Sequence, residues 1–202
     1  MNITIKPLAF ELVTDFFDFF DNRAFSDNSP EGPCYCTRFQ MTKEEEKAEF
    51  DQIDVYGGGS VGFMCVLRKM AEQQIKSGAL QGYLAFVNGI SIGWCNCNDK
   101  ANFPVKSGNG ACFYAPAEKR EKVVACFEIA PEYRGKGVAT ALLRRATDDA
   151  KAQGYIAVEG FPQKRDERYE WDFKGPIRLY EKAGFVKLED DDGRVVMRKE
   201  LF

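Results

Sequence analysis

Between residues 123 and 154 the chain reads VVACFEIAPEYRGKGVATALLRRATDDAKAQG, and two kinds of residue in it could do chemistry. Arg134, Gly135, Lys136 and Gly137 make a loop whose glycines admit positive φ and close backbone approach, and whose cations favour an anion. Just before it, Glu128 stands alone among apolar neighbours, where a carboxylate could serve as a general base. The chain has no histidine, which excludes Ser-His and Cys-His pairs, an HExxH metal site and an imidazole base. Acid and base work therefore falls to carboxylates, Tyr, Lys, Cys or water.

The elements that must position these residues are legible on either side of the loop. Residues 123–129 are rich in strand formers, with Val123, Ala125, Phe127 and Ile129 on one face and Val124, Cys126 and Glu128 on the other. Pro131 cannot donate to a sheet ladder and ends the strand. From Val138 the pattern turns helical, with Val138, Ala141, Leu142, Ala146 and Ala150 on one stripe and Gly154 as the stop. A helix N-terminus offers unpaired N–H groups at the positive end of its dipole, so the loop is an anion cradle. It is not a Walker A loop, since Ala130 stands where the first Gly belongs and Gly137 follows Lys136 in place of Ser or Thr. A dinucleotide fingerprint fails as well, because Thr140 replaces its third Gly.

The pattern that fits is R-x-x-G-x-A, here Arg134-Gly135-Lys136-Gly137-Val138-Ala139, following Ile129-Ala130-Pro131-Glu132-Tyr133. It resembles the acetyl-CoA pyrophosphate loop of the GNAT superfamily of N-acetyltransferases. A second segment, Leu179-Tyr180-Glu181-Lys182-Ala183-Gly184-Phe185, looks like that family's LYEKxGF signature and lies on the right element in the right order. The resemblance implies an α/β (α+β) fold: a single GNAT-like domain with a mixed central sheet of about six to seven strands, flanked by helices and splayed at the cofactor site. It implies acetyl-CoA as cosubstrate, with Arg134, Gly135, Lys136, Gly137, Val138, Ala139 and Thr140 on the pyrophosphate. The backbone of Ile129 would pair with the pantetheine arm and help polarise the thioester. Many members carry Asn near the start of the helix bearing the Tyr, whereas this chain has Phe173 and Lys174 before Gly175-Pro176.

Composition bounds the rest. With 202 residues, 45% of them hydrophobic, one domain over residues 1–202 can bury a substantial core. Within it, residues 1–80 hold a first strand and acceptor-side helices, 81–160 the hairpin, central strand and cofactor loop, and 161–202 a last helix and strands. A net charge of −3 gives no electrostatic footprint for nucleic acid or an anionic membrane. The N-terminus lacks a signal-peptide core and no apolar run approaches membrane-spanning length, so a cytoplasmic location is expected. Seven cysteines, an odd number, point to reduced thiols.

In chain order, a strand is predicted over 2–6 and an amphipathic helix over 9–25 carrying Phe10, Phe16, Phe17 and Phe20. Loop chemistry fills 26–39, and Thr42 with Glu45 has capping-box spacing for a charged helix over 42–52. Gly57-Gly58-Gly59 reads as a hinge before a helix over 61–76, and Asn88-Gly89 as the turn of a hairpin. The long segment 99–119 is a structureless insertion or a mobile flap. Residues 155–159 form a short strand, 163–174 are irregular, and Gly175-Pro176 opens the helix that Gly184 closes. Two final strands, over 185–188 and 195–198, flank an acidic turn at 189–193.

Acetyl transfer to an amine needs a neutral amine, stabilisation of a developing oxyanion and a proton for the departing thiolate. Glu128, half-surrounded by apolar side chains, is the candidate base, acting through water, with Glu159 as its rival. A phenol of pKa about 10 can protonate a thiolate, and the resemblance gives that role to Tyr180. Two C-x-C pairs, Cys34/Cys36 and Cys95/Cys97, read as packing or pocket lining, and no metal is expected, since zinc sites use wider spacings. The function predicted is acetyl transfer to a small-molecule or peptide amine, with a non-catalytic acyl-CoA-binding module as the alternative. A homodimer is compatible with the sequence, which does not name the acceptor.

Overall fold

The structure, a computed structural model, describes residues 1–30, 32, 34–104, 120–163, 169, 171–191 and 194–202. A seven-stranded sheet, ordered β1-β2-β3-β4-β5-β7-β6, runs through the molecule. β1 (Thr4–Pro7), β2 (Gly82–Val87), β3 (Ile90–Asp99) and β4 (Glu121–Ile129) are antiparallel neighbours. β4 then pairs in parallel with β5 (Ala157–Gly160), beyond which β7 (Arg194–Glu200) and β6 (Val186–Asp191) close the sheet. The mixed sheet and its flanking helices agree with the fold that the motifs imply.

Local chemistry accounts for most of the elements. Asn88 and Gly89 sit at φ 51° and 80°, the double left-handed conformation of a two-residue hairpin turn, between β2 and β3. The Thr42 hydroxyl accepts from the Glu45 N–H while the Glu45 carboxylate accepts from the Thr42 N–H, capping α2 (Lys43–Phe50) from both directions. Gly57 and Gly58 adopt positive φ between a short 3-10 turn (Ile53–Tyr56) and α3 (Gly59–Ser77), so the triple glycine does act as a bend before a helix.

One face of the sheet is covered by α1 (Val13–Asn22) and α3, the other by α4 (Val138–Ala152) and α5 (Ile177–Lys182). Phe16, Phe17, Phe19 and Phe20 of α1 are buried with Leu67, Met70 and Trp94, each large apolar side chain contributing about 2 kcal/mol. Phe10, expected in that core, is exposed, because residues 10–12 form a separate 3-10 turn that takes it off the helical stripe. Segment 99–119, expected to be a structureless insertion or a mobile flap, falls largely on residues 105–119, outside those described. The acidic run is only partly a turn, since β6 extends to Asp191.

A bulge in β4 corrects the alternation read from the sequence. Asn96 pairs with Cys126 but Cys97 pairs with Val124, leaving Ala125 as an extra residue. Val124 therefore joins Phe127 in the core under α4, while Val123 and Ala125 pack with Phe103. Strict alternation placed Val123, Ala125 and Phe127 together. Cys126 still faces the α1 side, so the strand changes phase at Ala125 and the expected alternation holds from Cys126 to Glu128.

Candidate active site

The site begins where two strands part. β5 follows β4 only from Glu121↔Ala157 to Val124↔Gly160, so the C-terminal half of β4 has a strand partner on the β3 side alone. The Ala130 N–H donates to Ile92 of β3 at 3.0 Å, which sets the parity: the backbone groups of Phe127 and Ile129 point away from β3, into the splay. The Phe127 N–H is accepted there by the Phe173 carbonyl at 2.5 Å, and the Ile129 carbonyl accepts from Arg134 Nε at 3.1 Å. A carbonyl has a second lone pair, so Ile129 can still receive a ligand N–H.

Beyond the splay lies the loop. Gly135 and Gly137 sit at φ 73° and 84°, and a Cβ on either would meet nothing within 4 Å, so the space beside both is open. Gly137 caps α4, whose first helical bond runs from the Ala141 N–H to the Gly137 carbonyl. The N–H groups of Val138, Ala139 and Thr140 precede that bond and point out of the helix end. Across from them α5 presents Arg178 and Lys182, one helical turn apart. A cavity of about 840 Å³ joins these surfaces, lined by Glu128, Ile129, Arg134, Gly135, Gly137, Val138, Ala139 and Thr140, with Trp171 and Phe173 on the facing segment.

Eight of the ten site residues read from the sequence thus share one cavity, and two do not. Lys136 gives its N–H to the Tyr133 carbonyl at 3.4 Å and places Nζ over the Tyr133 ring. Tyr180 is fully buried behind Phe127, with ring centroids 6.3 Å apart, and its hydroxyl donates to the Lys174 carbonyl at 2.8 Å. Burial raises its pKa well above that of a free phenol. Its ring also abuts Gly160 so closely that a Cβ there would lie 2.1 Å from it.

Glu128 is 8% exposed and lines the cavity. Burial pushes its pKa up to about 8, with Arg134 pulling the other way and Cys36 and Asp27 adding to the rise. Arg134 Nη2 is 3.7 Å from the carboxylate, too far for a direct hydrogen bond. The Arg134 guanidinium does not turn toward the helix end. Nη1 bonds Asp27, which also accepts from Trp171 Nε1 at 2.9 Å. Against the burial that raises it, the bonds from Trp171 and Arg134 hold Asp27 below the usual carboxylate range.

The rival carboxylate is placed elsewhere. Glu159 does not line the cavity; it accepts from Lys100 at 2.9 Å and Arg198 at 2.8 Å, cations it shares with Glu121. The two C-x-C pairs are separated by the sheet, Cys36 packing in the core under α1 and Cys95 and Cys97 in the core under α4. They cannot meet at one metal ion. Cys36 instead receives Asn96 Nδ2 on its sulfur at 3.3 Å. Sequence reasoning missed Asp27, Trp171, Phe173, Arg178 and Lys182. Only the last two carried a signal, two cations at helical i, i+4 spacing.

The splayed β4/β5 pair opens onto a glycine-capped helix N-terminus, and comparison with known proteins identifies the family to which this arrangement belongs. The acetyltransferase (GNAT) domain family matches residues 81–187, more than half of the chain. The chain belongs to the GNAT acetyltransferase family. An uncharacterized N-acetyltransferase of Methanocaldococcus jannaschii is 31% identical over 123 residues, 59% of this chain but only 45% of that protein. The chain thus matches less than half of that relative's length. A GNAT-family acetyltransferase from Streptococcus pneumoniae superposes with a TM-score of 0.56 at 17% identity, over all of both chains. The PaiA N-acetyltransferase from Thermoplasma acidophilum, solved in complex with coenzyme A, superposes at 0.52 with 15% identity over 99% of each. Among the described residues no helix is long and apolar enough to cross a membrane.

Proposed function

We propose that the protein is an acetyl-CoA-dependent N-acetyltransferase in which Glu128 is the general base. One observation carries this reading: a buried carboxylate with its pKa raised to about 8 lies on the wall of the cavity that leads to the α4 N-terminus. An ordinary Glu, near 4.3, is too weak a base to draw a proton from an alkylammonium near neutral pH.

The residues present fit the cosubstrate. The open space beside Gly135 and Gly137, the outward N–H groups of Val138, Ala139 and Thr140, and the cations of Arg178 and Lys182 suit a diphosphate. Acetyl-CoA supplies a thioester carbonyl that a neutral amine can attack. Glu128, directly or through a water, takes the proton that the amine must lose. The backbone of Ile129, turned into the splay, orients the group to be transferred. Tyr180 would return a proton to the departing sulfur, exchanging its bond to the Lys174 carbonyl for one to the sulfur. Arg134 contributes through its backbone and through Glu128, not by its guanidinium on phosphate.

The sealed position of Tyr180 favours a second reading, a module that binds acyl-CoA without turnover. Thiol release from acetyl-CoA across a panel of primary amines separates the two. Acceptor-dependent release that Glu128→Gln abolishes is expected, whereas tight binding without release on a broad panel supports the module. Gly137→Val tests the cradle itself: a branched side chain at φ 84° is strained and fills the open space, so calorimetry should show no measurable acetyl-CoA binding.

A further inference from the structure

Asp27 lies in the turn after α1, 107 residues before Arg134 and 144 before Trp171, yet its Oδ2 accepts from both, from Arg134 Nη1 at 2.5 Å and Trp171 Nε1 at 2.9 Å. Its Oδ1 is buried with no hydrogen-bond partner among the described residues. The Arg134 guanidinium is held at three points: Nε on the Ile129 carbonyl, Nη1 on Asp27, and Nη2 facing Glu128 at 3.7 Å. A guanidinium is a planar fork, so fixing Nε and Nη1 fixes where Nη2 can be. The short bond is to Asp27 and the long one to Glu128.

That asymmetry decides what Glu128 can do. A carboxylate paired directly with an arginine ionises one to three pH units more readily and is a correspondingly poorer base. We propose that Asp27 is a positioning residue of the reaction: by anchoring Arg134 it keeps the guanidinium beyond direct reach of Glu128, leaving that carboxylate free to take the acceptor's proton. The inference rests on Glu128 being the base. The other titratable groups facing Glu128 are the thiols of Cys34, Cys36 and Cys126, of which burial raises Cys34, and Asp27 itself.

A purely structural salt bridge would tie the turn to the cofactor loop without setting the proton affinity of Glu128. Two substitutions separate the possibilities because their expected shifts are opposite in sign. Asp27→Asn still accepts from Trp171 but releases its share of Arg134, so Glu128 should titrate about one pH unit lower or more. Arg134→Gln removes the cation, and Glu128 should titrate higher. In the double variant the Asp27→Asn shift should shrink to the smaller direct effect of the lost Asp27 charge, because the larger part acts through Arg134.

The measurement is the ¹³C carboxyl resonance of Glu128 against pH in the ligand-free protein, assigned by its loss in Glu128→Gln. Retained chemical-shift dispersion certifies each variant as folded. An Asp27→Asn midpoint that stays in place or rises overturns the inference, as does a full-sized Asp27→Asn shift in the absence of Arg134. The acid limb of kcat/KM should move with the NMR midpoint in Asp27→Asn. Undiminished turnover by Glu128→Gln is a separate result: it removes the base assignment beneath the inference, whatever the titrations show.

Discussion

β4 carries a buried carboxylate near each end, and the two are treated in opposite ways. At its start, where β5 is paired to it, Glu121 sits with Glu159 among two cations, Lys100 and Arg198, each bridging both carboxylates at 2.8 to 3.0 Å. Near its end, where β5 has departed, Glu128 shares one cation with Asp27 and receives the longer contact. In the first cluster two cations each reach both buried carboxylates, with the exposed Glu200 also on Arg198 Nε at 2.6 Å; in the second, two carboxylates divide one guanidinium. Against burial, the bonds from Arg198 and Lys100 hold Glu121 below its ordinary value, whereas at Glu128 burial prevails and lifts it to about 8. Similar burial on one strand thus accompanies opposite shifts in proton affinity, according to the cations within reach.

The largest test of this contrast is turnover. Glu128→Gln should lower kcat on a responsive amine by about 100-fold or more, within the range for loss of a general base, with acetyl-CoA affinity retained. Glu159→Gln should leave kcat per folded molecule within about threefold, because Glu159 is off the cavity wall. A reversed ranking in a single kinetic comparison would falsify the division of roles.

Stability should show the reverse order. Removing one partner from the buried cluster leaves its cations under-compensated, so Glu159→Gln should cost about 3 kcal/mol in denaturant unfolding. A loss below about 0.5 kcal/mol would mean that water already screens the cluster.

Next in size is Tyr180→Phe, expected to reduce turnover by about tenfold or more, with little change in acetyl-CoA binding. Phe keeps the ring that Phe127, Phe185 and Gly160 contact, so only the proton donor is lost. Unchanged turnover would remove Tyr180 from the chemistry and leave it as a packing residue bonded to Lys174.

The smallest expected effect is the most direct readout of Glu128. Its folded pKa lies above its unfolded value, so between about pH 4.5 and pH 8 the native state holds more protons than the unfolded one. Stability therefore falls through that window as pH rises, and Gln in its place should remove the fall. At pH 9 Glu128→Gln should be more stable than the parent by about 1 kcal/mol or more, with little difference at pH 5. Glu121, lowered in the fold, contributes with the opposite sign, its stabilisation being lost as pH falls. Equal stability of Glu128→Gln and parent at pH 9 would show that the carboxylate is not strained by burial.

What was legible in the sequence was what short-range chemistry dictates. The glycine pair of the cofactor loop, the helix that Val138 opens, the Thr42 capping box and the Asn88-Gly89 hairpin each depend on residues within a few positions of one another, and each stands where its spacing places it. The motifs around Gly137 and Tyr180 were enough to indicate the fold. Alternation along β4 was not enough, because a bulge is a single-residue event in the pairing with β3 and leaves no trace in apolar periodicity. Nor could it show that the Tyr180 hydroxyl is bonded to the Lys174 carbonyl.

The sequence by itself therefore determined the elements, their order and the cradle at the α4 N-terminus. Only the tertiary structure decided which carboxylate lines the cavity and which is tied into an ion cluster. Glu128 and Glu159 are alike as residues on neighbouring strands; the difference lies in Lys100 and Arg198 converging on one, and in Asp27, itself bonded by Trp171, taking the shorter contact with the Arg134 beside the other. The hydrogen bonds that make this difference join residues from 39 to 144 positions apart, and proximity in space across such separations is what no local pattern encodes.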